Sequence, residues 1–214
     1  MLSSSPRLVK AGLVVADADK GSVIRVIPLQ YNPTRLSRSF SLKTLGDHAD
    51  RSQALRLTGP PIETITLEAS IDATDALERG DKDAAATGIG GYLAALELLT
   101  TPASAQLLAA DRASQQGVLE ILPMAQPLTL LVWGKSRIVP VRINSLSVTE
   151  EAFDPALNPI RATVSLALRV LTVDDLGFAA RGGQIFLNHL VVKEQLARKL
   201  PAASLDTLGI GALP

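Results

Sequence analysis

The sequence predicts a mainly β domain with a minor α component: an antiparallel β-barrel or curved sheet with one inserted helix and a C-terminal helix. Three observations predict it. In PPIETITLEASID, Ile65, Leu67, Ala69 and Ile71 alternate with Thr64, Thr66, Glu68, Ser70 and Asp72, the period of a strand with one buried face. In IRATVSLALRV, Ile160, Ala162, Val164, Leu166, Leu168 and Val170 alternate with Arg161, Thr163, Ser165 and Arg169. Before that strand, LTLLVWG and the run 136–148 flank Gly134-Lys135 as the two arms of a hairpin.

The remaining elements follow in chain order. RLVKAGLVVA (7–16) and SVIRVIPLQ (22–30) are β-rich, with DADKG between them as a turn in which Gly21 supplies a positive φ. Both faces of the second run are apolar, which predicts cover on two sides. Asn32-Pro33 marks a bend before LSRSFSL. GDHADRSQ (46–53) reads as a polar loop. After the strong strand, ATDALERGDKDAAATG reads as an acidic loop and GYLAALELLT as a helix over 92–100, with Leu93, Leu96 and Leu98 or Leu99 at helical spacing. Thr101-Pro102 ends it, and the run 104–111 extends it or forms a short second helix.

In the second arm of the hairpin, Val139, Val141 and Ile143 share one parity and Leu146 and Val148 take the other. A bulge near Asn144-Ser145 is therefore predicted. The strand from Ile160 to Val173 would reach about 40 Å at ~3.3 Å per residue, which suits a curved sheet or barrel. After VDDLGFAARGG, a helix is predicted over 184–200, with Ile185, Val192 and Leu196 as a stripe broadened by Phe186, Leu187, Leu190 and Val191. Arg198 and Lys199 suit its C-terminal dipole, and Pro201 stops it. The expected division is a β domain over 1–178 and a C-terminal helix with an apolar tail over 179–214, packed on that domain or on a neighbour.

Hydrophobic residues make up 47% of the 214 and aromatics 3%, so the core must be aliphatic. Lys plus Arg and Asp plus Glu are 21 each. That balance argues against nucleic acid or an anionic membrane as partner, because phosphate binding needs a basic excess. A near-neutral chain also associates readily. The chain has no cysteine, which excludes disulfides, thiolate metal sites and Cys nucleophiles. MLSSSPRLVK lacks an apolar signal-peptide segment. ILPMAQPLTLLVWG is too short to span a bilayer and is broken by Pro123 and Pro127, so no membrane insertion is expected and the chain is expected in the cytoplasm.

The chemical candidates are few. His48 stands near Asp47 and Asp50, which would suit a metal or general-base role, but with no second ligand cluster a solvated loop histidine is the favoured reading. His189 reads as a helix-surface or satisfied core residue. Asp72, Asp75, Asp81 and Asp83 lack the spacing, central Gly and closing Glu of a calcium loop. GIGG (88–91) precedes a helix but lacks a Walker lysine and a dinucleotide pattern, so a flexible helix start is favoured over a phosphate cradle. There is no Gly-x-Ser-x-Gly. No catalytic residue, cofactor or metal is expected.

One stretch stands apart. EEAFDPALNPIRA places two X-Pro steps, Asp154-Pro155 and Asn158-Pro159, before the longest strand. Such steps hold the preceding residue extended and leave less entropy to lose on docking. The loop is either a rigid strand connection or a preshaped subunit contact. In the second case Phe153 is the apolar anchor, Asp154 and Arg161 are polar partners, and Pro155, Asn158 and Pro159 hold the shape.

QYNPTRLSRSFSL, PPIETITLEASIDATD and VWGKSRIVPVRINSLSVTEEAFDPALNPIRATVSLALRVLT, in that order from about residue 10 to about residue 175, resemble the tube-type β-barrel proteins of contractile injection systems, which are phage-tail-like particles. AFDPALNPIRA is the most specific stretch. The pattern resembles tube-initiator or baseplate-adaptor proteins more than the repeating tube subunit. The resemblance implies a tail-tube-like structural protein without catalytic activity or cofactor. It implies a hexameric ring of this chain that connects the spike or hub protein to the inner-tube protein, touches other baseplate subunits and templates tube assembly. Synthesis and assembly would be cytoplasmic, and the particle would be released or act at the cell envelope. Adaptors of this type often carry a C-terminal peptidoglycan-binding LysM module; the residues from the last helix to Pro214 leave no room for one, so cell-wall binding is not carried over. The alternatives are a repeating inner-tube subunit, a baseplate-associated hydrolase, which would need a pocket of convergent acids or a His-centred site, and a small-ligand-binding barrel with an apolar cavity in a monomer.

Overall fold

The computed structural model describes residues 9–44, 56–117, 124, 126–201 and 203–213. Seven strands form one sheet: β1 (Gly12–Ala16), β2 (Val23–Pro28), β3 (Leu36–Ser41), β4 (Ile62–Asp72), β5 (Leu128–Val132), β6 (Ile138–Phe153) and β7 (Pro159–Val170). The order is β2-β1-β5-β6-β7-β4-β3 and every neighbouring pair is antiparallel. The sheet is open, with β2 and β3 as its edges. It nevertheless curls. Gln30, just past β2, exchanges two hydrogen bonds with the backbone of Asp72 at the end of β4 (2.5 and 2.7 Å), although these strands stand first and sixth in the order.

The alternation read in the sequence sets the register. Ile65 pairs with Leu168, Leu67 with Leu166 and Ala69 with Val164, so the apolar residues of β4 and β7 share one face. Val141 pairs with Val170 and Ile143 with Leu168; the register then slips past Asn144, and Leu146 meets Leu166. The predicted bulge is therefore what returns Leu146 and Val148 to the apolar face after a change of parity. Leu13, Leu131 and Val139 continue that face across β1, β5 and β6. The opposite face carries Thr66, Glu68 and Ser70 on β4, Thr163 and Ser165 on β7 and Ser147 and Thr149 on β6, all at least partly exposed.

Helices close the apolar face. Between β4 and β5 lie α1 (Thr74–Glu78), α2 (Lys82–Thr87), α3 (Gly90–Glu97) and α4 (Ser104–Gln115). After β7 come α5 (Val173–Leu176), α6 (Arg181–Ala197) and a 3-10 turn over Leu205–Leu208. Leu93 and Leu96 of α3 and Phe186 of α6 join one core cluster with the inward residues of the sheet.

Five expectations are corrected. The inserted segment holds four helices among the described residues, not one, and the stretch read as an acidic loop is α1 and α2. Asp81 explains α2: its carboxylate accepts the backbone N–H groups of Asp83 (2.9 Å) and Ala84 (3.0 Å) as an N-cap. β2 is not covered on two sides; it is an edge strand with Val23, Ile24 and Val26 exposed. β7 ends at Val170 and Val173 starts α5, whose N-cap Thr172 accepts from Asp174. Finally, α6 buries Gly182, Gly183, Phe186 and His189, whereas Leu196 of the predicted stripe is exposed. The glycine pair decides this. A Cβ on Gly183 would overlap the Gly177 carbonyl oxygen, and one on Gly182 would press on the Leu176 side chain, so only glycine lets α6 approach this closely.

Candidate functional site

The two X-Pro steps fall in the tight hairpin between β6 and β7, closed by the Phe153–Pro159 pair. Asp154 organises it. Its amide donates to the Asn158 carbonyl (2.9 Å) and its own carbonyl accepts the Leu157 amide (2.9 Å). Its carboxylate accepts the amides of Ala156 and Asn158 and the side-chain amide of Asn158, each at 2.8 Å. The Asn158 bonds, with that of Ala156, hold the Asp154 carboxyl below the usual carboxylate range. The far end of the loop is clamped too: the Pro159 carbonyl accepts the amide of Ile89 (2.8 Å) and the Ile160 carbonyl that of Ala73 (2.8 Å). Gly88, read as part of a flexible helix start, ends α2 with φ +59 and fits directly against Pro159.

The structure thus gathers Phe153, Asp154, Pro155, Asn158 and Pro159 in one rigid hairpin and leaves Phe153 49% exposed. Arg161 sits apart on the polar face of the sheet. It pairs with Asp72 at 2.7 Å, and Asp72 also accepts the hydroxyl and amide of Thr74. The Thr74 bonds, then Arg161, keep the Asp72 carboxyl low. Arg161 is thereby committed within the chain.

Two apolar surfaces lie elsewhere. On the β2 edge, Val23, Ile24 and Val26 are 62%, 60% and 58% exposed. Next to it, a groove of about 270 Å³ is lined by Val15, Ile24, Ala95, Leu98, Leu99 and Pro127, with Arg25 beside them. On the other edge, Phe40 and Leu42 are exposed.

A charged cluster that sequence reasoning missed ties β3 and β4 to α6. Glu63 is buried and holds Arg38 at 2.6 Å and Lys193 at 3.3 Å. Both cations lie over the Phe40 ring, at 4.8 and 5.5 Å from its centroid. Burial pushes the Glu63 carboxyl up, but the Arg38 hydrogen bond and the charges of Lys193 and Arg38 together bring it below its ordinary value. The available signal was parity: Glu63 shares the alternation of Ile65, Leu67 and Ala69, so it had to face inward.

His189 lies on the same helix, buried, with neither ring nitrogen in hydrogen-bonding geometry to a partner. Burial lowers its pKa first, and Lys193 and Arg38 add to that; Glu63 and the nearby Ser136 backbone oppose. It is a core residue, as one of its two readings had it, but it is unsatisfied. Tyr92 is pushed up to about 12 by burial and donates to the Pro28 carbonyl. Among the described residues, no three His, Asp or Glu side chains gather as metal ligands, and no helix is long and apolar enough to cross a membrane. His48 and the polar loop 46–53 lie outside the described residues.

No family model matches the chain, and no curated protein matches it. Among solved structures it is similar to a chain in the tail of an empty gene transfer agent particle, refined helically with C6 symmetry, at 13% identity over 75% of this chain and 90% of that chain, with a TM-score of 0.30. It is also similar to a chain in the virion of a native gene transfer agent particle, at 12% identity over the same shares, with a TM-score of 0.28. Overlaps this loose do not define a shared fold.

Proposed function

We propose that this chain is a structural subunit of a contractile, phage-tail-like injection particle, forming a ring that joins the spike or hub protein to the inner tube and templates tube assembly. One observation carries the assembly part of this reading: the open sheet ends in an edge strand, β2, with Val23, Ile24 and Val26 exposed and, among the described residues, no strand on its outer side. An apolar edge invites pairing, and monomeric proteins blunt or cover theirs. A ring needs a head-to-tail contact, and the two unlike edges offer one, β2 of one copy toward β3 of the next. Repeated by a rotation that closes, a head-to-tail contact gives a ring; a rotation that does not close gives a filament. Full burial of each of the three side chains contributes roughly 1.5–3 kcal/mol. The place in the particle rests on the sequence resemblance, which names the spike or hub, the inner tube and other baseplate subunits as partners.

The test is mass and shape. Light scattering after size exclusion, with electron micrographs of the same fraction, should show closed rings of the chain, six copies by the resemblance. A chain that stays monomeric at every concentration overturns the reading. A ring that does not cosediment with spike or tube protein overturns the place in the particle but not the ring.

A further inference from the structure

Leu157 stands at the tip of the β6–β7 hairpin with φ +66, and among the described residues no other non-glycine has a positive φ. Glycine or asparagine adopts this left-handed conformation at far lower cost, and a three-residue hairpin turn of this kind ordinarily places glycine there. Nothing local repays the leucine, whose side chain is 78% exposed. The rest of the loop is fully determined, with Asp154 holding Ala156, Leu157 and Asn158 and with Pro159 clamped to Ile89. Strain that persists in a rigid loop, on a side chain that the fold does not use, points outward to a partner.

The chain supplies a receptor of matching chemistry. The groove beside β2, walled by Ile24, Leu98, Leu99 and Pro127, is apolar. Arg25 at this groove makes no ion pair among the described residues, and neither does exposed Glu150 on the hairpin stem. The two charges are opposite. With 21 basic and 21 acidic residues, two copies meet without net repulsion. The groove also continues the β2 edge, since Ile24 belongs to both.

We infer that the hairpin of one copy docks into the groove between β2 and helices α3 and α4 of a second copy, Leu157 foremost and Phe153 behind it, with Glu150 set against Arg25. This rests on the self-assembly reading above and adds the hairpin and the groove to its β2–β3 edge contact.

Leu157→Gly separates the contact from the fold because the two effects have opposite sign. Glycine relieves the backbone, so thermal unfolding of the dissociated variant should occur at the same or a higher temperature, while its self-association should weaken about tenfold per contact. The absence of native cysteine permits a direct second test. A Leu157→Cys chain mixed with a Leu98→Cys chain should form a covalent pair under mild oxidation, well above the yield from Leu157→Cys mixed with Phe178→Cys, another exposed position. Wild-type rings with undiminished Leu157→Gly assembly and no preferential crosslink overturn this inference and leave the ring reading intact. A wild-type chain that does not self-associate overturns both.

Discussion

Gly88 and Pro159 touch through their backbones: a side chain on Gly88 would occupy the space of the Pro159 carbonyl oxygen, which the next residue, Ile89, uses as its hydrogen-bond acceptor at 2.8 Å. The end of α2 and the start of α3 are thus docked on the end of the β6–β7 loop. The inserted helices brace the loop, and the loop in turn fixes where they begin.

Gly88→Ala should therefore destabilise the chain by about 2–4 kcal/mol, because φ +59 strains alanine and the obstacle is backbone that cannot rotate away. Gly91→Ala is the control. Gly91 lies in α3 with nothing within 4 Å of the added carbon, so it should be neutral or stabilise by up to about 1 kcal/mol. Urea unfolding of the two variants checks the contrast; equal stabilities would show that the contact is not formed.

Phe153→Ala should spare the monomer and weaken the assembly. The ring is 49% exposed, so its removal should cost the fold well under the ~3–5 kcal/mol of a core Phe. If the ring is buried between copies, each contact should lose roughly 1.5–3 kcal/mol. Melting temperature and particle yield, measured on one preparation, decide: a large fall in melting temperature with normal assembly would make Phe153 a part of its own fold.

What was legible in the sequence followed from periodicity. β4 and β7 alternate without interruption, and the parity change at Asn144 located a bulge because only a bulge keeps Leu146 on the core face. The helices α1 and α2 were not legible. At five and six residues they are too short for a periodic signal, and they stand by Asp81 capping and by docking on β7. The buried face of α6 was hidden because apolar residues surround that helix; the close approach is set by Gly182 and Gly183, which hydropathy does not weigh. At the candidate site, stiffness was readable from the two prolines. The left-handed Leu157 was not, since leucine carries no turn signal.

His189→Leu should stabilise the chain and flatten its acid response. At neutral pH it removes buried, unpartnered ring nitrogens, worth about 1–3 kcal/mol. The pH dependence has a definite sign. Above the ordinary 6.5 the ring is neutral folded and unfolded alike, and it adds no slope. As pH falls below 6.5 the unfolded chain takes the proton first, because the folded pKa is lowered, so wild-type stability declines until the folded value is passed. Burial first, then the charges of Lys193 and Arg38, make the folded ring resist protonation, with Glu63 and the Ser136 backbone opposing. Denaturation midpoints between pH 5 and 7.5 should fall less for His189→Leu than for wild type; parallel curves would remove His189 as the cause.

Glu63→Gln tests what holds α6 to the β3–β4 edge. Removing the carboxylate leaves Arg38 and Lys193 both beside the Phe40 ring, with Arg137 nearby and without the carboxylate they share. Breaking a buried pair from the acidic side strands its cations, and a loss of about 2–4 kcal/mol is expected, discounted because both cations remain partly exposed. The sign with pH differs from that of His189. The Glu63 carboxyl lies below its ordinary 4.5 when folded, so its contribution is complete above 4.5 and is lost as pH falls through the lower folded value. Glu63→Gln should therefore be less stable than wild type at pH 7 and converge on it only as pH falls through that lowered folded value. Hydrogen exchange should show the loss first in α6, whose link to that edge is Lys193. Uniform exchange across the sheet and α6 would mean that the cluster does not anchor the helix in particular.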